Sequence, residues 1–391
     1  MIPPLARFPE EWEEAAVRLG GRKFHGKQIF KWIHARGVTD AEAMTDLPAA
    51  LRTKLKEEEG LGGVLEVVTE RRAADDTRKL LVGMKDGANV ETVLIPRVAG
   101  GTRGDLPSPV DDAGMEDADA AAAVEDEEDD EEQKEDWVPV TQCISTQVGC
   151  AMGCVFCASG VAGLKRHMRP DEIVAQVLIG KQRLDENERI RNVVLMGMGE
   201  PLHNYDATVR ALRLITHRDG IALSLRKVTV STSGLVPEIA RLGQDFGGNI
   251  GLAISLHAAD DETRSRLMPI NKKYPLAKLM EGLRAYPLPR RRRITIEYTL
   301  VAGKNDDVAE ARKLAKLLRG LPVKVNLIPM NPIEASSLGP PDLTNVLAFQ
   351  RVLCDAGYSC FIRRRRGDDV SAACGQLVLL GAKPKVRVNR H

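Results

Sequence analysis

The sequence predicts an α/β fold in which a mostly parallel sheet, open or closed into a full or partial barrel, follows a small α+β unit. Two observations indicate this fold class. From residue 143 onward, short apolar runs alternate with longer amphipathic stretches, which is the pattern of repeated β-α units. Ahead of them, residues 9–97 change from helical periodicity to three alternating runs, which is the pattern of an antiparallel meander.

The first unit is expected to span residues 1–97. Helical periodicity covers residues 9–59 and predicts one apolar and one cationic face. Strands are predicted at 64–70, 79–84 and 89–95, with a turn at 85–88 between the last two. Glu91 is an acidic residue among the apolar residues of the last of these strands, and by default such a residue is an exposed strand position. The residues assigned to the apolar helical face include Phe24, Ile29, Phe30 and Ile33.

A segment dominated by acidic residues separates the two units. Residues 98–139 contain almost no large apolar side chains, which predicts disorder. Between residues 111 and 136 there are fifteen acidic residues and one lysine, a local charge of −14, so the total of +1 leaves +15 on the remaining residues. A body this basic favours a polyanionic partner such as nucleic acid, although a basic soluble surface without such a partner has the same composition.

The second unit is expected to span residues 140–382, followed by a basic tail at 383–391. In a sheet of repeated β-α units, the C-terminal edge of the strands is the expected active face. The predicted strands cover 143–146, 192–196, 227–230, 250–255, 293–300, 323–328 and 359–363. The predicted helices cover 170–184, 205–217, 275–286, 309–318 and 343–356.

The cysteines and the absence of long apolar runs bear on the compartment. No run approaches the eighteen or so residues of a membrane span, and the first residues lack the apolar segment of a signal peptide. Seven cysteines, most of them in one cluster, favour metal or redox chemistry over a disulfide framework. The sequence therefore predicts a cytoplasmic protein with no membrane partner.

Three cysteines, Cys150, Cys154 and Cys157, have the spacing C-x3-C-x2-C in one short loop. Thiolates at this spacing can converge on one soft metal centre. Two types of site fit the pattern. With Cys143 as a fourth ligand it would be a zinc site, although zinc ribbons draw their ligands from two separated pairs. With three ligands it would be an iron-sulfur cluster with one open iron, at which a small molecule can bind.

Polar or glycine-rich residues follow several of the predicted strands. Glycine lets backbone groups approach a flat ligand, and Glu200 offers a carboxylate to an amine. His257 alone would be an ordinary loop histidine. It becomes a candidate ligand contact because the other strand ends also carry polar or glycine-rich residues. If the strands form a parallel sheet, these ends meet at one edge. They are residues 196–201, 231–234, 255–257 and 328–332.

Together with the cysteine loop, these motifs resemble the RlmN family of radical S-adenosylmethionine (SAM) RNA methyltransferases. The resemblance covers roughly residues 20–380 apart from the acidic segment. It implies a radical SAM partial (β/α)6-type barrel with a small N-terminal α+β RNA-binding domain. The motifs that carry it, in family order, are VETVLIP (90–96), GMGEP (197–201), VTVSTSG (228–234), ISLH (254–257), PINKKY (269–274), TIEY (295–298), NLIPMNP (326–332) and RGDDVSAACGQL (366–377).

The resemblance implies methylation of carbon 2 of adenine in 23S rRNA and in tRNA through a methyl-cysteine intermediate. Cys374 matches the family's methyl-carrying cysteine, Cys143 matches its resolving thiol, and Glu91 matches its proposed proton acceptor. Cys150, Cys154 and Cys157 match the ligands of one 4Fe-4S cluster. Two SAM molecules are consumed per turnover, one as methyl donor and one as the source of a 5'-deoxyadenosyl radical.

The resemblance also implies the cofactor contacts and the partners. A flavodoxin-like electron donor is inferred from the family, and a monomer is expected. Phosphate contacts are expected from the N-terminal helices and from the arginine runs at 290–293 and 363–366. The residues that match the family's SAM contacts are Gly199, Glu200, Ser231, Ser255, Leu256, His257 and Asn331.

Two other functions fit parts of the sequence. The sister enzyme methylates carbon 8 of the same adenine, but Pro201 after GMGE and the complete RGDD motif favour the carbon-2 family. A non-catalytic iron-sulfur or zinc protein that binds RNA would also carry the cysteines and the basic surface. The acidic segment is a departure from the family, because it separates Glu91 from Cys143 far more widely and leaves their relative position open.

Overall fold

The computed structural model describes residues 2–61, 64–97, 105–106, 137–333, 336–363 and 366–377. Helices at the N-terminus lead into a meander, and the meander continues into a sheet of β-α units. The helices are α1 Pro9–Arg18, α2 Lys23–Phe30, α3 Ala49–Lys54, α4 Ala158–Ala162, α5 Pro170–Gln182, α6 Tyr205–Ile215, α7 Val236–Phe246, α8 Asp261–Leu267, α9 Leu276–Arg284, α10 Val308–Leu317 and α11 Leu343–Asp355. The strands are β1 Leu65–Arg72, β2 Arg78–Met84, β3 Asn89–Pro96, β4 Asp105–Leu106, β5 Val138–Cys143, β6 Gln147–Val148, β7 Arg166–His167, β8 Glu188–Leu195, β9 Val228–Thr232, β10 Gly251–Ser255, β11 Ile294–Leu300, β12 Val323–Pro329 and β13 Cys360–Arg363.

One sheet of eleven strands runs through the described residues, in the order β1-β2-β3-β5-β8-β9-β10-β11-β12-β13-β4. The seven strands from β5 to β13 are parallel to their neighbours, and β1, β2, β3 and β4 pair antiparallel. The sheet has two ends, so it is an open, partial barrel. The α/β fold class predicted from the alternating pattern is confirmed.

The N-terminal helices pack against the helices of the barrel. Trp12, Ile29, Phe30 and Ile33 are completely buried, as the helical spacing predicts. Lys181 at the end of α5 donates to the carbonyl of Ala35 at 3.0 Å, so α2 and its continuation lie beside α5. Phe24 is an exception to the predicted apolar face, because it lies in the first turn of α2 and half of its surface is exposed, 53%.

The predicted domain boundary at 139/140 does not divide the sheet. Strand β5 begins at Val138, five residues before the predicted start at 143. The strand can include Pro139 because this residue lies near its beginning, where the missing N–H of proline is tolerated. Strand β3 pairs antiparallel with β5, with Val93 opposite Cys143. The N-terminal meander and the barrel therefore share backbone hydrogen bonds, and β3 lies next to β5 despite the long acidic segment between them in sequence.

The disorder predicted for residues 98–139 is wrong at two places. Residues 105–106 form β4, which pairs with Ile362 and Arg363 of β13, and Val138 and Pro139 belong to β5. The rest of that segment, from 98 to 104 and from 107 to 136, lies outside the described residues, as do 378–382 and the predicted basic tail at 383–391. None of the helices in the described part of the chain has the length and apolarity needed to cross a bilayer.

Candidate active site

A cavity opens at the C-terminal edge of the parallel strands. Its volume is about 950 Å³, including the space that is open to solvent. The strand ends predicted to meet there do so, because the six loops after β5, β8, β9, β10, β11 and β12 leave the sheet at the same edge. The cavity is lined by Cys150, Met152, Cys154, Phe156, Cys157, Leu195, Met196, Gly197, Gly199, Glu200, Ser231, Thr232, Ser233, Ser255, His257, Met268, Glu297, Thr299, Ile328, Met330, Asn331, Cys374 and Gly375.

Three cysteines in the loop between β6 and α4 line this cavity. The loop is fixed by backbone hydrogen bonds, among them Cys157 N–H to the carbonyl of Cys154 at 3.3 Å and Cys150 N–H to that of Gly163 at 3.3 Å. Burial raises the pKa of all three thiols, that of Cys150 to about 12, and the thiol of Cys157 raises those of Cys150 and Cys154 further. Without a metal they are therefore protonated thiols, and a bound metal would displace their protons.

The arrangement of the thiols distinguishes the two predicted types of metal site. Cys143 is buried in β5 and does not line the cavity, so it is not a fourth ligand beside the other three. Within the described ranges, no three His, Cys, Asp or Glu side chains surround a point that would hold a single metal ion. Three thiols spread along one cavity wall fit a polynuclear cluster, in which each of three irons takes one cysteine, better than one tetrahedral zinc.

Glu200 is a buried carboxylate at the end of β8. Its Oε2 accepts a hydrogen bond from Ser233 N–H at 2.7 Å and its Oε1 accepts one from Leu202 N–H at 3.2 Å. Burial raises the pKa of Glu200, and these donors oppose that shift. A carboxylate held between two strand ends with lone pairs left over can receive an ammonium group from a ligand in the cavity.

Gly199 can only be glycine at this position, for two reasons. Its φ of +106° is in the region that favours glycine, and a Cβ there would lie 2.5 Å from Cβ of Gln147. Gly199→Ala should therefore destabilise the protein by roughly 1–3 kcal/mol. Gly339→Ala is the matched control, because a Cβ at Gly339 meets nothing within 4 Å. Chemical denaturation of both variants would measure this, and equal unfolding free energies would contradict it.

His257 follows β10 in a left-handed backbone conformation, with φ of +57°. Its Nδ1 accepts a hydrogen bond from Thr299 N–H at 2.9 Å, and its ring lies 4.7 Å from that of Phe156 in an edge-on arrangement. Burial, together with the charge of Arg264, lowers the pKa of His257 to about 3. The ring is therefore neutral, and because Nδ1 is an acceptor, Nε2 carries the proton as a donor.

One buried polar atom in the cavity wall, Oδ1 of Asn331, has no hydrogen-bond partner among the described residues. Buried polar atoms are nearly always paired, so an unpaired one that faces a cavity indicates a polar ligand. The hydroxyl of Ser233 also lines the cavity, where it acts on the carboxylate of Glu200. Ser231 and Ser255 also line the cavity, as predicted, and together these groups fit a small zwitterion with hydroxyl groups, such as SAM.

Leu256 is the one predicted cofactor contact that does not line the cavity. It is completely buried, its N–H donates to the carbonyl of Glu297 at 3.0 Å, and its carbonyl accepts from Nε of Arg264 at 3.0 Å. With both backbone groups occupied and the side chain in the core, Leu256 supports the wall from behind.

Cys374 lies in a loop that packs directly on the cysteine loop. The carbonyl of Gly375 accepts a hydrogen bond from Ala158 N–H at 2.8 Å, and the carbonyl of Cys374 accepts one from Nδ2 of Asn331 at 2.9 Å. Cys374 is open to the cavity, yet its thiol is surrounded by protein atoms. This burial raises the pKa of the thiol to about 11, and the negative charge of Glu297 raises it further in the same direction. Cys157 also acts on this thiol, and all four cysteines line the same cavity.

Glu91 and Cys143 lie behind this wall on neighbouring strands. Both are buried, and the register that places Val93 opposite Cys143 brings Glu91 to the C-terminal end of β5. The carboxylate of Glu91 pairs with Nζ of Lys79 at 3.0 Å, and the same Nζ donates to the carbonyl of Ser371 at 3.1 Å. The thiol of Cys374 raises the pKa of the Cys143 thiol, although burial is the larger cause. The exposed strand position expected by default for Glu91 is therefore wrong.

The motif TIEY contributes a residue that the sequence did not mark as functional. Glu297 lines the cavity and accepts a hydrogen bond from Nδ2 of Asn326 at 2.8 Å. The sequence feature that could have identified Glu297 is an acidic residue inside a strand of apolar and β-branched residues.

The arginines at 290–293 precede β11 and so lie at the edge opposite the cavity, where Arg293 donates to Oγ of Ser359 at 2.8 Å. Phosphate contacts near the cavity are not expected from that run.

Known proteins resemble this chain over nearly its whole length. The family model "Radical SAM superfamily" matches residues 144–315, and "Ribosomal RNA large subunit methyltransferase N-terminal domain" matches residues 9–60. The chain is 68% identical over 99% of its length to the dual-specificity RNA methyltransferase RlmN of Sorangium cellulosum, covering 98% of that protein. It is 42% identical over 94% of its length to RlmN of Syntrophobacter fumaroxidans, covering 95% of that protein.

A solved structure shows the same fold. The crystal structure of a radical SAM methyltransferase from Sphaerobacter thermophilus superposes with a TM-score of 0.82 at 38% identity, over 96% of this chain and 99% of the other. The resemblance drawn from the motifs is thereby confirmed, and an enzyme rather than a non-catalytic binding protein is established. This chain belongs to the RlmN family of radical SAM RNA methyltransferases.

Proposed function

We propose that this chain methylates carbon 2 of adenine in 23S rRNA and in tRNA, with Cys374 as the carrier of the methyl group. The observation that supports this most directly is that Cys374 and the three loop cysteines line the same cavity. Carbon 2 lies between two ring nitrogens and is electron-poor, so it does not attack the methyl group of SAM as an amine would. A carrier thiol placed beside a site of radical formation provides another route.

Cys150, Cys154 and Cys157 are the proposed ligands of one 4Fe-4S cluster. When bound, such a cluster supplies the electron that cleaves SAM and yields a 5'-deoxyadenosyl radical. Glu200 would receive the ammonium group of SAM, while the hydroxyl of Ser233, the unpaired Oδ1 of Asn331 and Nε2–H of His257 would contact its other polar groups. Gly199, Ser231 and Ser255 complete this wall. Two SAM molecules are used per turnover.

Cys374 acts twice in this scheme. Its sulfur first takes the methyl group from one SAM, with S-adenosylhomocysteine as the leaving group and loss of the thiol proton. The positive charge of the sulfonium favours the thiolate, which offsets the raised pKa of this thiol. Loss of a hydrogen atom from the sulfur-bound methyl group then leaves a carbon-centred radical on Cys374, which bonds to carbon 2 of the adenine.

Glu91 and Cys143 are proposed to resolve the resulting protein-RNA adduct. Glu91 accepts the proton that leaves carbon 2, and the unpaired electron of the adduct would return to the bound cluster. Cys143 then loses its thiol proton and attacks the sulfur of Cys374, so that the sulfur-carbon bond breaks, a disulfide forms and the released carbon takes up a proton to become the methyl group. Support comes from their burial side by side behind the cavity wall and from Lys79, which holds Glu91 and the Cys374 loop together. None of the seven cysteines is in a disulfide in the structure, so the disulfide formed in the reaction would have to be reduced again after each turnover.

The basic surface supports an RNA substrate. Lys23, Lys27 and Lys31 are exposed on the N-terminal helices, and Arg363 is close enough to act on Cys374 at the cavity edge. These side chains are the proposed phosphate contacts. A flavodoxin-like protein is the proposed electron donor, and we propose that the chain acts as a monomer in the cytoplasm, where its thiols remain reduced.

Anaerobic reconstitution tests the function as a whole. The full chain with iron and sulfide should bind about four irons. With SAM, dithionite and 23S rRNA or tRNA it should produce 5'-deoxyadenosine and 2-methyladenosine, which mass spectrometry of the digested RNA identifies. 8-Methyladenosine would instead show the activity of the sister enzyme, and stable zinc without 5'-deoxyadenosine would overturn the proposal.

A further inference from the structure

Arg264, on α8, is a completely buried cation close to the cysteine loop. Its guanidinium donates to four acceptors, all of them uncharged: the carbonyls of Leu256 at 3.0 Å, Ser233 at 2.7 Å and Ser255 at 3.2 Å, and Oδ1 of Asn271 at 2.8 Å. Among the described residues it forms no ion pair within 4 Å, whereas exposed Arg266, two residues further on, pairs with Glu262 at 3.6 Å.

An unpaired charge in a protein interior is costly, so its counter-charge must be sought. Burial lowers the pKa of Arg264 only to about 10, which leaves the guanidinium charged at neutral pH. The charge of Asp261 also acts on the pKa of Arg264, but this carboxylate is exposed to solvent and its Oδ1 is bound by Nδ2 of Asn271 at 2.9 Å, not by the guanidinium. A carboxylate that is screened by solvent compensates a buried charge only in part, which leaves a place for a second counter-charge on another side of the guanidinium.

The cysteine loop lies on that side. Val155, the residue after Cys154, donates its N–H to the carbonyl of Leu267 at the end of α8 at 3.1 Å. Two of the carbonyls that Arg264 binds belong to Ser233 and Ser255, which line the same cavity as the cysteines. The thiol of Cys154 and the guanidinium also act on each other's pKa. Cysteines become thiolates when they bind a metal, and negative charge then faces Arg264.

We infer that Arg264 is a positioning residue for the iron-sulfur site, whose buried positive charge offsets the cysteine thiolates and favours the reduced, more negative cluster. The inference rests on the cluster ligands proposed above. Reduction adds one electron to a centre that three thiolates already make negative, and a cation held in a medium of low dielectric stabilises the added charge.

A mechanical role is the alternative. By binding carbonyls after β9 and β10, Arg264 also holds two strand ends against α8. Both roles predict a loss of stability when the side chain is changed, so stability alone does not separate them. The reduction potential of the cluster does, because it responds to charge, and a clamp made of uncharged groups would leave it unchanged.

The test compares full-length reconstituted Arg264→Gln and Arg264→Lys by redox titration followed with electron paramagnetic resonance. Arg264→Gln should shift the midpoint potential to more negative values, so that the ratio of reduced to oxidised cluster at a fixed potential falls by roughly tenfold. Arg264→Lys should have a midpoint potential close to that of the wild type. Arg266→Gln is the control, and its midpoint potential should equal that of the wild type. A wild-type potential in Arg264→Gln, or equal shifts in Gln and Lys, would overturn the inference in favour of the clamp.

A double exchange covers the case in which Arg264→Gln does not fold. Asp261→Asn combined with Asn271→Asp keeps the net charge and the two side-chain contacts that link residue 261 to Arg264, and it places a carboxylate against the guanidinium. It gives up the donation from Nδ2 of Asn271 to the carbonyl of Asp261. It should shift the midpoint potential in the same negative direction, and an unchanged potential would contradict the inference. If the wild-type chain binds zinc and no iron, the proposed function fails, and that outcome is visible before any variant is compared.

Discussion

Replacement of Cys374 by alanine should abolish RNA methylation while cleavage of SAM continues. Cys374 is the one cysteine besides the three loop cysteines that lines the cavity in the described residues, so no thiol there is left to carry the methyl group once the loop cysteines bind the cluster. Removal of an enzyme's nucleophile reduces turnover by at least about 10³-fold in well-studied cases. Mass spectrometry should find no methyl group on the protein and no 2-methyladenosine in the RNA, while chromatography still detects 5'-deoxyadenosine.

The control for this experiment is Cys354→Ala. Cys354 is buried in α11 and does not line the cavity, so its loss should affect stability and leave methyl transfer intact. A Cys374→Ala enzyme that methylates RNA at the wild-type rate would show that the methyl group passes from SAM to the base without this carrier. Loss of iron in the same variant would show instead that Cys374 supports the cluster loop, since the carbonyl of Gly375 binds Ala158.

The sequence predicted the site best where simple topology determines it. Parallel strands place all their C-terminal ends at one edge, so Gly199, Ser231, His257 and Asn331 had to approach the cysteine loop once the β-α alternation was recognised. The same rule, applied to the other strand end, places the arginines at 290–293 on the opposite edge. Counting charge in the sequence could not distinguish these two edges.

Pairing between distant strands was not predictable in the same way. Nothing in the alternation of β3 shows that its free edge pairs with β5, and this pairing brings Glu91 near Cys143 across the long acidic segment. Arg264 was also missed, because its role depends on the absence of a carboxylate in the folded chain. Leu256 belongs to a matching motif, yet the fold directs it into the core, since side chains alternate along and just beyond a strand.

Cys143→Ala should stop the enzyme after one turnover with RNA covalently attached. The scheme requires a second thiol that attacks the sulfur of Cys374, and Cys143 is the cysteine placed for it, because the two thiols are near enough for Cys374 to raise the pKa of Cys143. Alanine removes only one atom from a buried position, so the fold should be retained. A denaturing gel with labelled RNA should show a band of protein-RNA adduct that disappears on digestion with ribonuclease.

Two controls determine what that band means. Cys143→Ala combined with Cys374→Ala should give no adduct, because the carrier sulfur is missing, and Cys360→Ala, which removes a buried thiol of β13, should turn over normally. Repeated turnover by Cys143→Ala would contradict the two-thiol scheme.

Since β3 places Glu91 beside Cys143, Glu91→Gln should also accumulate adduct if the ring proton must leave before the sulfur is attacked. An adduct in Cys143→Ala but not in Glu91→Gln would keep the resolving thiol and assign the proton to another base.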